Sequence, residues 1–200
     1  MKQSEEGEAL DALGITVVTE ADQPQVRAEC VRIARRLKHA DRKIIGLFPS
    51  SPDIGVPAVA VQLGLALGEV TGGTIAFVDA NLRWPAVSQS ATGGATTDDG
   101  SAFVTRWLRG SLALLTPRRA GDAGAGVPQL AKIVQDGSWL FAHVLVDLTG
   151  YKKLGEHLAA IEMVDGVLVV SRAGHTREDE LIRLNDELPP AKTLGVLLLG

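Results

Sequence analysis

At 200 residues and 46% hydrophobic content, the chain can bury one sizeable core and falls within the range of a single domain. Its formal net charge of -4 leaves no global cationic field for nonspecific contact with polyanions, so nucleic acid is not an expected partner. The single cysteine cannot close an internal disulfide, the opening residues MKQSEEGEAL are unlike a secretion signal, and apolar runs such as 164–170 are too short to span a bilayer; a cytoplasmic chain without direct membrane insertion is predicted, any membrane association coming through a partner.

Residues 1–23 are rich in Glu, Asp and Gln with weak periodicity, and read as a flexible acidic arm ahead of a domain over 24–200. From Pro24 to His39 the apolar positions Val26, Cys30, Ile33 and Leu37 recur at four, three and four, with Arg27, Arg32, Arg35, Arg36 and Lys38 between them. That spacing predicts an amphipathic helix, with Cys30 a small packed side chain on its apolar stripe. A buried strand is expected over 43–48, a helix over 57–69 and a second strand over 74–78. Residues 86–100 are small and polar and read as a mobile loop. A strand over 111–116, a Gly/Ala loop over 118–126 and a helix over 127–134 follow. Strands over 144–147, 166–171 and 193–199 alternate with helices over 153–163 and 176–188. Continuous apolar strands separated by helices predict a mostly parallel sheet covered on both faces, an α/β fold whose ligands sit at the carboxyl ends of the strands.

Three of those strand ends carry recognisable residues. The first strand runs into FPSSPDIGVPA, the second into VDANLRWP, and the strand near Leu145 into VDLTG. This set resembles the bacterial tyrosine kinases (BY-kinases) of capsule and exopolysaccharide export, relatives of the ParA/MinD-type ATPases. Their corresponding segments read S-S-x-P-G-E-G-K-S/T, D-A-D-L-R-R-P and I-I-D-T-P-P. VDGVLVVSRAGHTRED is similar to the family's V-D-G-V-L-L-V-V-R-A-G-x-T, and Glu29, Arg32 and Arg35 match its E-x-x-R-x-x-R helix. The resemblance covers 24–200 and implies a P-loop NTPase-like three-layer sandwich.

A working phosphate loop turns backbone N–H groups around the anion, neutralises it with a Lys, and ligates magnesium through a Ser or Thr at the helix start. Aligned on Pro52 and Gly55 within 51–57, the family's first loop Gly is Asp53, its Glu is Ile54, its Lys is Val56 and its Ser/Thr is Pro57; Ser51 precedes them. Val56 offers no charge, and loss of one charge-assisted hydrogen bond costs about 1.5 to 3 kcal/mol. Pro57 has neither N–H nor hydroxyl, although it suits the first turn of a helix. Asp53 adds a repelling carboxylate. Lys43 lies at the far end of the first strand, about 17 Å off at 3.3 Å per residue, and cannot substitute. Arg83 and Arg172 follow strand ends on the proper edge and are the candidate replacement cations.

By the resemblance, Asp79 corresponds to the acid that positions magnesium and activates the acceptor, and Asp147 to the Walker B acid; the competing reading makes both strand-end caps that feed tight turns. The family's autophosphorylated tyrosine cluster lies beyond its last strand, whereas this chain has one tyrosine, Tyr151, read as a partly buried loop aromatic. No acceptor tail is therefore expected. His39, His143, His157 and His175 lack metal-ligand spacing, and Ser50-Ser51 lacks the G-x-S-x-G of a nucleophile elbow. Trp139 and Phe141 are expected to pack a helix end onto the sheet, and Trp84 to pack in the core.

The expected function is that of an inactive BY-kinase-like pseudo-ATPase, a scaffold or regulator in bacterial exopolysaccharide or capsule synthesis or export, with no nucleotide cofactor. Its expected partners are itself or a related ATPase, through the 24–39 helix, and a membrane polysaccharide co-polymerase. The alternatives are a slow ATP- and magnesium-dependent ATPase or tyrosine kinase using Asp79 and Asp147, and a ParA/MinD-like positioning protein.

Overall fold

The computed structural model describes residues 15, 23–81, 103–117 and 123–200. The proposed acidic arm, apart from Ile15 and Gln23, the expected loop over 86–100, and Arg83 and Trp84 lie outside the described residues.

Helix α1 (Pro24–His39) starts on a proline and carries Arg36 and Lys38 in its last turn, cations suited to the negative end of a helix. Strand β1 (Ile44–Pro49) is buried throughout. Helix α2 (Val56–Thr71) is apolar on nearly every side because it is covered on both, by the sheet and by α1. It stops at Gly72, whose φ of 71° suits a left-handed cap.

Strands β2 (Ile75–Asp79), β3 (Phe103–Leu108) and β4 (Leu112–Pro117) come next. Helix α3 (Ala123–Leu140) leads to β5 (His143–Asp147) and to two short helices, α4 (Tyr151–Leu154) and α5 (His157–Glu162). Strand β6 (Gly166–Arg172), helix α6 (Glu178–Glu187) and β7 (Thr193–Leu199) complete the described chain.

The strands form one sheet in the order β3-β4-β2-β5-β1-β6-β7, parallel except for the β3–β4 pair. Alternation along the strands divides the core into two layers. Ile45, Leu47, Phe77 and Leu145 face α1 and α2, while Phe48, Val78, Val146 and Val169 face the layer that holds Val134, Ile161 and Leu184. The α/β class, the mostly parallel sheet and the covering of both faces agree with the sequence reading.

Four local readings are corrected. The helix expected over 127–134 runs over Ala123–Leu140, so it takes in the end of the expected Gly/Ala loop. The helix expected over 153–163 is broken at Gly155, which at φ 70° closes α4 with a left-handed cap. The antiparallel strand β3 was not anticipated; it turns into β4 through Arg109 and Gly110, both at positive φ, with the Ser111 N–H donating to the Leu108 carbonyl at 3.2 Å. Trp139 does not pack onto the sheet but is 87% exposed, whereas Phe141 is half-buried against the second layer.

Candidate functional site

The carboxyl edge of the sheet gathers the turn after β1, the acids that end β2 and β5, and the residues that follow β6. Asp79 and Asp147 are cross-strand partners in the β2–β5 register, and neither is exposed to solvent. Phe77 and Leu145, two positions earlier on each strand, belong to the layer beneath α2, so both carboxylates are directed toward that helix's side of the sheet.

Each acid holds a turn. Asp79 Oδ1 accepts the Asn81 N–H at 3.1 Å, and Asp147 Oδ1 accepts the Thr149 N–H at 2.8 Å and the Thr149 hydroxyl at 2.5 Å. These are the aspartate turns of the capping reading. Asp147 does more than cap, because its Oδ2 is buried without a hydrogen-bond partner. Burial pushes its carboxyl up to about 6, against the lowering effect of the two Thr149 hydrogen bonds.

The turn after β1 is closed on itself. The Ser50 N–H donates to the Val170 carbonyl at 2.9 Å, and the Ser50 and Thr176 hydroxyls lie 2.8 Å apart, which joins the turn to the segment after β6. The Ile54 N–H donates to the Ser51 carbonyl at 3.2 Å, and the Val56 N–H to the Ile54 carbonyl at 2.8 Å. Gly55 between them has φ -72° and ψ 73°, the geometry of an inverse γ-turn. Ile54 and Val56 are buried in the α2 layer, while Pro52 and Asp53 are exposed and Pro57 occupies the first turn of α2. Two N–H groups at this helix start are thus directed to carbonyls of the turn itself, and a third position, Pro57, has none.

Asp53 accepts a hydrogen bond from the Ser51 hydroxyl. That bond, then its own backbone N–H, then the charges of His175 and Arg172, hold its carboxyl below the ordinary aspartate range. Arg172, exposed at the end of β6, thus acts on Asp53. Arg83 lies outside the described residues.

Tyr151 follows the Asp147 turn, and its hydroxyl donates to the Ala80 carbonyl at 3.0 Å, bridging the ends of β5 and β2. Burial, and then the charges of Glu156, Asp79 and Asp147, push the phenol up to about 12. It is more deeply buried than the sequence reading had it, at 8% exposure, and it opens α4. Glu29, Arg32 and Arg35 are exposed on α1, where Glu29 accepts from Arg32 at 2.6 Å.

Sequence reasoning missed Thr149, Asn81, Thr176 and His175 as parts of this edge. The first two carry a local signal, since each stands two residues after an aspartate that ends a strand. Thr176 and His175 are brought in only by the pairing of β1 with β6.

No family model and no characterised sequence matches the chain. Among solved structures, the kinase domain of VpsO superposes with a TM-score of 0.68 at 17% identity, covering 90% of this chain and 96% of that one. The BceF tyrosine kinase domain gives 0.69 at 17% identity, covering 100% and 89%. The kinase domain of the Escherichia coli tyrosine kinase ETK gives 0.68 at 17% identity, covering 90% and 75%. The chain therefore carries the fold of the bacterial tyrosine kinase domains.

Proposed function

We propose that this chain is a BY-kinase-like pseudo-ATPase that serves as a scaffold or regulator in bacterial exopolysaccharide or capsule synthesis or export. The observation that carries the reading is the closed turn at Gly55: the Ile54 and Val56 N–H groups are bonded within it, and Val56, at the place of the family's lysine, is buried in the α2 layer. Together with Pro57 and Asp53, this donor set does not fit a nucleotide phosphate chain. An anion there would lose N–H donors and meet a carboxylate held in its charged form.

Such a domain acts by contact. The 24–39 helix, with exposed Arg32 and Arg35, is the proposed face toward a second copy or a related active ATPase, and a membrane polysaccharide co-polymerase is the proposed larger partner. Among the described residues no helix is long and apolar enough to cross a membrane.

One observation favours a second reading. A buried carboxylate oxygen without a partner, beside a second buried acid in register, is a donor set for a divalent cation, and a slow magnesium-dependent ATPase or tyrosine kinase would use Asp79 and Asp147 in that way.

Calorimetric titration of the chain with ATP and with ADP, each with and without magnesium, decides between them. No heat of binding is expected. Saturable binding at micromolar concentration that requires magnesium and disappears in Asp147→Asn would replace the first reading by the second.

A further inference from the structure

The described sheet has two outer strands, and they are finished differently. β3 carries a charged side chain, Arg106, in mid-strand, a feature that discourages pairing with other chains. β7, with the sequence TLGVLLL, contains neither a charge nor a proline. Its irregularity lies at its start, where the register with β6 shifts between Val167 and Leu168; from Gly195 to Leu199 the ladder is regular.

The Ala173 N–H donates to the Leu199 carbonyl at 2.8 Å, which sets the phase of that ladder. Backbone groups of Gly195, Leu197 and Leu199 are directed toward β6, and those of Val196 and Leu198 away from it. Among the described residues no group bonds to this outer row. Side chains are apolar on both faces. Leu197 and Leu199 pack against the layer that holds α1 and α2, while Val196 and Leu198, on the opposite face, are 53% and 62% exposed.

We infer that β7 is a self-pairing edge, through which two copies of the chain join antiparallel about a two-fold axis at Leu197 into one continuous sheet. The outer row of N–H and C=O groups calls for a strand, and symmetry selects which one. With the axis at Leu197, Val196 of each copy lies opposite Leu198 of the other. Both present their backbone groups outward, so each such pair exchanges N–H···O bonds in both directions. The same register sets Val196 side chains against Leu198, Leu197 against its own equivalent, and Gly195 against Leu199. No polar side chain meets an apolar one, a match that a strand of unrelated sequence does not supply. The nearby cations Arg42 and Lys192 bond to carbonyls of Ala191 and of Ile161, Glu162 and Val164, ahead of the paired stretch. This contact is separate from the α1 face and does not depend on whether the acid edge binds nucleotide.

Sedimentation equilibrium of the full chain over about 1 to 100 μM tests this, and a monomer–dimer equilibrium is expected in that range. Leu198→Lys, at an exposed position, brings two ammonium groups to one short seam and should weaken the dimer about tenfold or more. In a Cys30→Ser background, Leu197→Cys should form a disulfide-linked dimer on mild oxidation, because the two copies of that position face one another. Leu199→Cys, about 13 Å from its own equivalent at 3.3 Å per residue, should not. Four results would each overturn the inference: a wild type that stays monomeric throughout, which would leave the edge to a strand of another protein; a folded Leu198→Lys chain that dimerises as tightly as the wild type; equal cross-linking at positions 197 and 199; or loss of the dimer in Arg32→Ala/Arg35→Ala, which would place it on α1.

Discussion

Asp79 and Asp147 face one another across two hydrogen-bonded parallel strands, each with one oxygen turned back onto the N–H two residues further along the chain. The same side chains thus terminate β2 and β5 and load the edge of the sheet with buried carboxylates. A group serving only as a cap has no need of a second buried oxygen without a partner, as Asp147 has.

That oxygen has a consequence for stability. Burial raises the Asp147 carboxyl to about 6 from an ordinary 3.8, so the folded chain holds the proton more tightly than the unfolded chain does. Between those two values stability falls as pH rises, and above about 6 the loss is complete. Asp147→Asn, which cannot ionise, should therefore exceed the wild type by about 1 to 3 kcal/mol near pH 8 and lose that advantage near pH 4. Urea unfolding at the two pH values measures this; an equal difference at both would show that the charge is not the cause.

Val56 has no solvent exposure and packs in the layer beneath α2. Val56→Lys, at the position that the resemblance aligns with a lysine, places an ammonium among apolar side chains and should cost about 3 kcal/mol or more. Pro57→Ser at the helix start should stay within about 1 kcal/mol of the wild type. Guanidinium unfolding compares them. A Val56→Lys protein as stable as the wild type would mean that the turn opens readily enough to release the side chain.

The Tyr151 hydroxyl is the donor to the Ala80 carbonyl, and a phenol raised to about 12 remains a donor at any physiological pH. Tyr151→Phe leaves that carbonyl without this bond and should destabilise by about 1 kcal/mol. The folded wild type should remain unmodified when incubated with an active tyrosine kinase and ATP. Mass spectrometry after incubation is the check, and stoichiometric phosphate on Tyr151 would contradict its burial.

A methyl group on Gly46 would lie 2.7 Å from Leu148 Cδ1 and 3.3 Å from Val164 Cγ2. Leu148 follows Asp147 directly and donates its N–H to the Leu47 carbonyl at 3.0 Å. Gly46→Ala should therefore destabilise by about 1 to 3 kcal/mol, while Gly55→Ala, with nothing within 4 Å and φ of -72°, should change stability little. Thermal unfolding of both variants tests whether close packing at β1, rather than loss of glycine as such, sets the cost.

The parallel sheet was legible because its strands are short continuous apolar runs, and residues 193–199 form the expected strand end to end. β3 was not, because FVTRWL is an edge strand that buries only its two ends, Phe103 and Leu108, and its antiparallel turn rests on Arg109, a residue seldom found at positive φ. The acid pair could be named from its place after two strands. Which atoms the acids hold could not, since Thr149 and Asn81 are ordinary loop residues until the turns form. The closed turn at Gly55 was equally hidden: the resemblance sets Val56 and Pro57 against the family's Lys and Ser/Thr, but the direction of the Ile54 and Val56 N–H groups is a property of folded backbone.

β1 is an inner strand of the sheet, between β5 and β6, and its register partners begin at Val144 on one side and Gly166 on the other. The first of the described strands to be synthesised is therefore among the last to be enclosed. Until the final third of the chain has been made, Ile44–Pro49 is an apolar strand with two unpaired edges, a template for pairing with other chains. Sequence-distant closure of this kind slows folding. A chain cut before Gly166 would lack one of the two neighbours of β1 and should aggregate when expressed, whatever the fate of nucleotide at the sheet's edge.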